Sequence, residues 1–333
     1  MSEAVELLDP RVDPEPAGWA DFLARERLWA PWDYGLMRLE ACAAANPTVL
    51  VVAREHGEPV AACAMMMRRP RFGPRFAEVW HPWLSGEPGF YFAGQVTPAD
   101  RPDVLRSMER AARRFLGVGC VGLVYRNVPP KDLDVVDGRA RVRRDAVGTT
   151  LLDNSFRCFD DYLATLKGKR RRELRRQRRL IDEDRDLEVR SGTARTDLDP
   201  VELAELLSAH RAKYRVFKFD VRTPVVASYL AELIARKDVF TVSYHDGAGR
   251  LVAYNNALDH PGRMCTQHWA VRPLETGGRK HLYFDATSRM VERMIDQSSA
   301  SLSMGRGLNE LKGELGFTEQ PLYAVIVPRP VAR

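Results

Sequence analysis

Two stretches of this chain carry the same succession of signals, and that repetition constrains the fold more than any single motif does. The apolar runs at 48–54 (TVLVVAR) and 59–67 (PVAACAMMM) flank an EHGE turn whose glycine suits a hairpin. The runs at 239–245 (VFTVSYH) and 250–258 (RLVAYNNAL) do the same around DGAG. Two helical patterns precede each hairpin, at 19–28 and 34–45 in the first half and at 200–214 and 225–237 in the second. After each comes a third strand (76–84 or 264–271), a helix (102–116 or 282–295) and a short strand (120–125 or 300–304). Pro82 makes the end of the first of these third strands an edge or a bend. Helix, helix, hairpin, strand, helix, strand thus occurs twice, which predicts two similar domains over 1–150 and 151–333. With 333 residues, 45% of them hydrophobic, the chain can bury two cores. The expected class is α/β (α+β), each half a mixed, mainly antiparallel sheet flanked by helices. A dinucleotide-binding fold would alternate strand and helix strictly.

The second constraint is charge. Residues 167–179 read KGKRRRELRRQRR, nine cations and one acid, while the whole chain has a formal net charge of +6. The local +8 leaves the other 320 residues at about −2, so the basicity belongs to one element. Read as one helix over 159–181, it aligns Leu163, Leu166, Leu174 and Ile181 on an apolar stripe and covers the other faces with arginine. Like charges at i,i+3 and i,i+4 repel, so such a helix calls for an anionic partner or an acidic surface; a solvated face is the simpler alternative. Arginine outnumbers lysine, which favours forked contacts to phosphate or carboxylate.

Other classes are poorly supported. The five cysteines (Cys42, Cys63, Cys120, Cys158 and Cys265) show no metal-ligand spacing, and their odd number argues against a complete disulfide framework. No apolar run approaches bilayer length, and the opening MSEAVELLDPRVDPEPAGW is acidic where a signal peptide is basic and then apolar. The expectation is a cytoplasmic protein with no membrane span and no metal. The oligomeric state is not written in the sequence.

The meander running into a helix resembles the GNAT acyltransferase fold. Two copies, the second opened by a basic helix, resemble the Fem peptidyl transferases and FemAB-like acetyltransferases. Two segments carry this likeness: residues 162–174 leading to the strand at Leu187, Glu188 and Val189, and residues 305–317 (GRGLNELKGELGF), with a lysine between glycines. The resemblance implies transfer of an activated acyl group to an amine, with no permanently bound cofactor and with acyl-CoA or aminoacyl-tRNA as co-substrate. It places Lys312 beside the carbonyl under attack, where an ammonium stabilises the developing oxyanion. Leu311 stands where the family carries an aromatic residue. The plain alternative for Lys312 is an exposed side chain paired with Glu310 or Glu314.

For the donor, Arg272, Gly277, Gly278, Arg279 and Lys280 occupy the place of the coenzyme A pyrophosphate loop, without its usual spaced glycines. Lys167, Lys169, Arg170, Arg171, Arg172 and Arg175 form the alternative anion or tRNA surface. His268, next to Trp269 on the third strand, is a candidate base, with Glu275 a further one and Tyr283 a polar group at the reacting centre. His210, Tyr214 and Asp285 are candidates for the acceptor side. The leading expectation is an N-acyltransferase using acyl-CoA on an amino acid, peptide or small metabolite amine. An aminoacyl-tRNA-dependent amide-forming transferase is the alternative, and a non-enzymatic nucleic-acid binder is the alternative of another class. No long helical arm interrupts the chain after Ile181, which favours acyl-CoA.

Overall fold

The computed structural model describes residues 4–28, 30–44, 48–68, 74–79, 81, 86–213 and 225–329. The chain divides into two units: one takes it as far as Thr149 and again from Gln320, the other begins at Thr150 and runs to Glu319. The final strand, which the sequence reading counts with the second half, thus packs mostly with the first.

The first unit contains β1 (Ala4–Leu8), α1 (Trp19–Arg25), α2 (Tyr34–Ala44), β2 (Thr48–Glu55), β3 (Glu58–Arg68), β4 (Arg75–Val79), β5 (Phe90–Phe92), α3 (Arg101–Leu116), β6 (Cys120–Val128) and α4 (Leu133–Val136). Next, β7 (Val142–Asp153) carries the chain into the second unit. The β2–β3 hairpin turns at His56 and Gly57, both at positive φ, so its two-residue loop matches the twist of the strands. Alternation along β2 buries both faces: Val49 and Val51 meet Leu105 and Met108 of α3, while Leu50 and Val52 meet Trp19, Phe22 and Met37.

The second unit contains α5 (Phe159–Thr165), α6 (Gly168–Glu183), β8 (Leu187–Thr193), α7 (Pro200–Lys213), α8 (Ala227–Ile234), β9 (Val239–Asp246), β10 (Leu251–Leu258), β11 (Met264–Val271), α9 (Leu282–Asp296), β12 (Ser301–Arg306) and α10 (Asn309–Gly313). From there β13 (Thr318–Pro328) returns to pair antiparallel with β6. Strands β8, β9, β10 and β11 are antiparallel neighbours, and β12 lies parallel to β11. Helices α5, α6 and α9 cover one face, with Leu174 and Ile181 against Met290 and Met294, and α7 and α8 cover the other.

The duplicated order is present: α1, α2, β2, β3, β4, α3, β6 corresponds to α7, α8, β9, β10, β11, α9, β12. The third strand of the first half stops at Val79, and residues 82–85 lie outside the described residues. The basic helix differs from expectation. It breaks at Leu166 and Lys167, whose ψ values of 151° and 138° are extended, and α6 restarts at Gly168, the weakest helix former of the run. The stripe survives the break, since Leu163, Leu166, Leu174 and Ile181 are all buried.

Candidate active site

The break gives the cation-rich segment a helix N-terminus of its own. An α-helix start carries about half a positive charge and favours acids. Here the first turn holds no acid, and Lys167 occupies the N-cap position. Further along, the helix is neutralised by its surroundings. Arg175 pairs with Asp160 at 2.9 Å, Arg176 with Glu173 at 2.7 Å, Arg178 with Asp285 at 2.6 Å and with Glu292 at 2.9 Å, and Arg179 with Glu183 at 4.0 Å. Arg170 pairs with Glu314 and lies over the Phe284 ring. Among the described residues Lys167, Lys169, Arg171 and Arg172 have no carboxylate partner. All four belong to the N-terminal end, where Lys167, Lys169 and Arg170 line a cavity of about 680 Å³ with Glu310 and Glu314. The basic helix and the C-terminal motif therefore meet at one place.

Lys312 is not an exposed lysine paired with Glu310 or Glu314. It is 4% exposed, and its Nζ donates to the carbonyls of Met304 at 2.7 Å and Gly305 at 3.2 Å. The Gly305 carbonyl also accepts from the Thr150 hydroxyl at 3.0 Å. Burial lowers the Lys312 pKa to about 8, which leaves it mostly charged at neutral pH. Two of its three N–H groups are used. The chain around it is unusually turned: Gly305, Gly307 and Leu308 all have positive φ, and Leu308 is 64% exposed, a rare combination for a bulky side chain.

The carbonyls that hold Lys312 mark a fork in the sheet. The register of β11 with β12 covers Met264 with Leu302 and Cys265 with Ser303 and goes no further. Thr266 adds one hydroxyl bond to the Ser303 carbonyl at 3.2 Å. Beyond this, β11 bulges at Gln267 and His268 against Asn256, whose Oδ1 accepts from the His268 N–H at 2.9 Å. Lys312 thus sits where β12 leaves β11.

At the far end of β11 the loop turns tightly. Gly277 has φ 97°, and a Cβ on Gly278 would lie 2.1 Å from the Arg272 carbonyl oxygen, so only glycine fits. Arg272 is occupied, with Nε donating to the Leu251 carbonyl at 2.5 Å and a bond to Glu202 at 3.1 Å. Arg279 bonds the Gly277 carbonyl at 3.0 Å and Asp186 at 2.7 Å, with Asp184 at 3.5 Å. Lys280 is exposed and has no ion pair among the described residues. Helix α9 then begins after His281, which has φ 71°.

The remaining candidates scatter. His268 is buried on β11, 6.0 Å from the Tyr229 ring, and desolvation pushes its pKa down to about 3, so it is neutral and a weak base at neutral pH. Tyr283 packs at 5.6 Å on Trp269, and burial raises its phenol to about 12. Asp285 is enclosed: its carboxylate serves Tyr244 at 2.8 Å, Arg289 at 2.7 Å and Arg178 at 2.6 Å. His210 is half-buried at the end of α7 and bonds the Val271 backbone, while Glu275 is exposed on the loop. Tyr214 lies outside the described residues. The sequence reading allowed an acidic surface beside α6 without naming its acids, and it missed the fork, for which two adjacent strands with unequal pairing leave no sequence signal.

Among the described residues no group of His, Cys, Asp and Glu could hold a metal ion, and no helix is long and apolar enough to cross a membrane. Residues 168–313 match the model of the acetyltransferase (GNAT) domain. No curated protein sequence matches the chain. Solved structures do. FemX aligns with a TM-score of 0.62 at 8% identity, covering 98% of each chain. The C-terminal domain of a putative lysylphosphatidylglycerol synthetase from Agrobacterium fabrum gives 0.60 at 12% identity, covering 94% of this chain and 92% of that one. A tandem GNAT protein from the clavulanic acid biosynthesis pathway gives 0.57 at 14% identity, covering 98% of each. At such identities the likeness is one of fold, and it extends over both units. Residues 168–313, most of the second unit, are thus similar to the GNAT acetyltransferase domain, and the chain as a whole shares the fold of FemX and of a tandem GNAT protein.

Proposed function

We propose that the second unit moves an acyl group from acyl-CoA to an amine. The observation that carries this reading is the fork: a parallel pair that separates after two residue pairs, with a fixed ammonium at the split and a glycine loop and helix start at the end of one arm. A thioester lying between the arms has its pyrophosphate at residues 277–280 and the start of α9, with Lys280 as the uncommitted cation. Its carbonyl meets Lys312. The amine nitrogen attacks the carbonyl carbon, the C–N bond forms, and the oxyanion is held by the remaining Lys312 N–H. Collapse breaks the C–S bond, and the proton shed by the nitrogen ends on the departing thiol. His268, held neutral, suits a positioning role on the opposite arm better than that of a base. An amine arriving uncharged needs only a path for one proton.

A second reading has its own observation. The four unpaired cations at the start of α6 suit a polyanion, and aminoacyl-tRNA as donor would use them. Binding to acetyl-CoA, longer acyl-CoA and bulk aminoacyl-tRNA at two salt concentrations separates the two. Saturable thioester binding weakened by Lys280→Ala supports acyl-CoA. Tight tRNA binding that collapses with salt and with neutralisation of Lys169, Arg171 and Arg172, without thioester binding, replaces it. A protein that binds neither loses both readings.

A further inference from the structure

The face of the second sheet under α7 and α8 holds a patch of polar groups without partners. Thr241 on β9 is register partner to Asn256 on β10, and Tyr254 lies two residues before Asn256 on the same face. All three are fully buried, yet Thr241 Oγ1, Tyr254 OH and Asn256 Nδ2 have no hydrogen-bond partner among the described residues. Each such group costs about 1–3 kcal/mol when left unmet, so three side by side call for something that completes them. The next position on the same face behaves normally. Ser243 exchanges bonds with His245 at 3.0 Å, Arg195 at 3.2 Å and the Arg190 carbonyl at 3.4 Å. The deficit is therefore local to one patch.

The patch can offer a donor from each of its three groups. Asn256 spends its Oδ1 on the His268 N–H, which fixes the amide orientation and leaves only N–H donors to face the patch. Two hydroxyls add donors. The guanidinium of Arg211, on α7, acts electrostatically on both Tyr254 and His268. Donors with a cation at hand fit a group that only accepts, and a carboxylate is the small biological group of that kind.

We propose that Thr241, Tyr254 and Asn256 form a subsite for the carboxylate of an amino-acid acceptor. This rests on the acyltransferase reading for the fate of the amine, but not for binding. The patch borders the bulge of β11, so a ligand anchored here directs its amino group toward the fork.

The test is thermal denaturation of the full chain with each of the twenty L-amino acids and with their C-terminal amides. Acetyl-CoA is run separately as the donor control. The expected result is a dose-dependent rise in Tm with at least one amino acid and none with its amide. Tyr254→Phe and Thr241→Val should weaken that amino acid by about 10- to 100-fold. Both are close in shape to the native residue and remove an unmet hydroxyl, so they fold at least as well without ligand. Failure of every amino acid to shift Tm, or equal shifts in the variants or with the amides, overturns the subsite and assigns the patch to buried water. If the acetyl-CoA shift persists in that case, the donor reading stands alone; if only the amino acid binds, the subsite stands and the acyl-CoA reading falls.

Discussion

Replacing Lys312 with methionine separates what the ammonium does for catalysis from what it does for the fold. The native side chain is buried and titrates near 8 instead of its ordinary 10.5. That difference costs the folded state about 3 kcal/mol below about pH 8, where the lysine is charged in both states. The folded pKa lies below the unfolded one, so between pH 8 and 10.5 the unfolded chain binds more protons and stability rises with pH. At a fixed concentration of uncharged amine, activity must run the other way, because the oxyanion loses its counter-charge as Lys312 deprotonates above about pH 8. Methionine fills a similar volume and removes the desolvation cost, but leaves the Met304 carbonyl unmet, at about 1–3 kcal/mol. The two nearly cancel, and stability should change by less than about 2 kcal/mol. The rate should fall by about 10²–10³ in kcat, as when a preorganised donor to an oxyanion is lost. The assay is thiol release from acetyl-CoA with an amine panel, from pH 6 to 10, beside urea unfolding of the same samples. An unchanged kcat, a wild-type rate that stays flat through pH 8 to 10, or a loss that only follows the unfolded fraction would refute the catalytic assignment.

Other consequences are equally open to measurement. Asp285→Asn removes the buried carboxylate shared by Arg178 and Arg289, which keep Glu292 and Asp182, and should cost about 1–3 kcal/mol by urea unfolding, whatever the substrate, since the carboxylate is an interior anchor. Neutralising Lys169, Arg171 and Arg172 together should leave stability within about 1 kcal/mol, as none has a carboxylate partner among the described residues, while lowering the salt slope of any polyanion binding. Gly278→Ala should disrupt the loop, because its Cβ would strike the Arg272 carbonyl; acetyl-CoA affinity should drop more than Tm does.

The two-fold order of elements was legible because it rests on period and punctuation: alternating apolar runs, turn glycines and helix-breaking prolines are local. The break at Leu166 and Lys167 was not, since the apolar stripe continues through it and only tertiary contacts show which turn unwinds. One such contact is the bond from the Tyr162 hydroxyl to the Leu315 carbonyl at 3.0 Å. Charge along α6 was legible as a sum but not as a distribution. Its partners Asp160, Asp285, Glu292 and Glu314 are spread over the sequence, and they decide which cations stay free. The polar patch was in plain view within the strand runs at 239–245 and 250–258. A threonine, a tyrosine and an asparagine in a strand read as ordinary until the absence of partners is known.

The two copies differ at the one place where the proposed chemistry needs an opening. In the first unit the parallel pair β4 and β6 spans β4 from Arg75 with Cys120 to Val79 with Tyr125, shifting register once between Arg75 and Ala77 and staying paired from Ala77 to Val79. Glu78, buried on β4, holds Arg68 of β3 at 2.5 Å and also Arg126 of β6, so one carboxylate ties three strands together. Breaking a buried arrangement of this kind costs about 3–5 kcal/mol. In the second unit the equivalent pair is held by two residue pairs, and Lys312 bonds the β12 carbonyls just beyond them. β12 is also hydrogen-bonded to β7, and Lys312 adds a tie to the two β12 carbonyls just past the split, using two of its three N–H groups. The proposed chemistry gives the third N–H to the oxyanion. On this argument donor chemistry belongs to the second copy, and Glu78→Gln should loosen the first unit without altering acetyl-CoA binding.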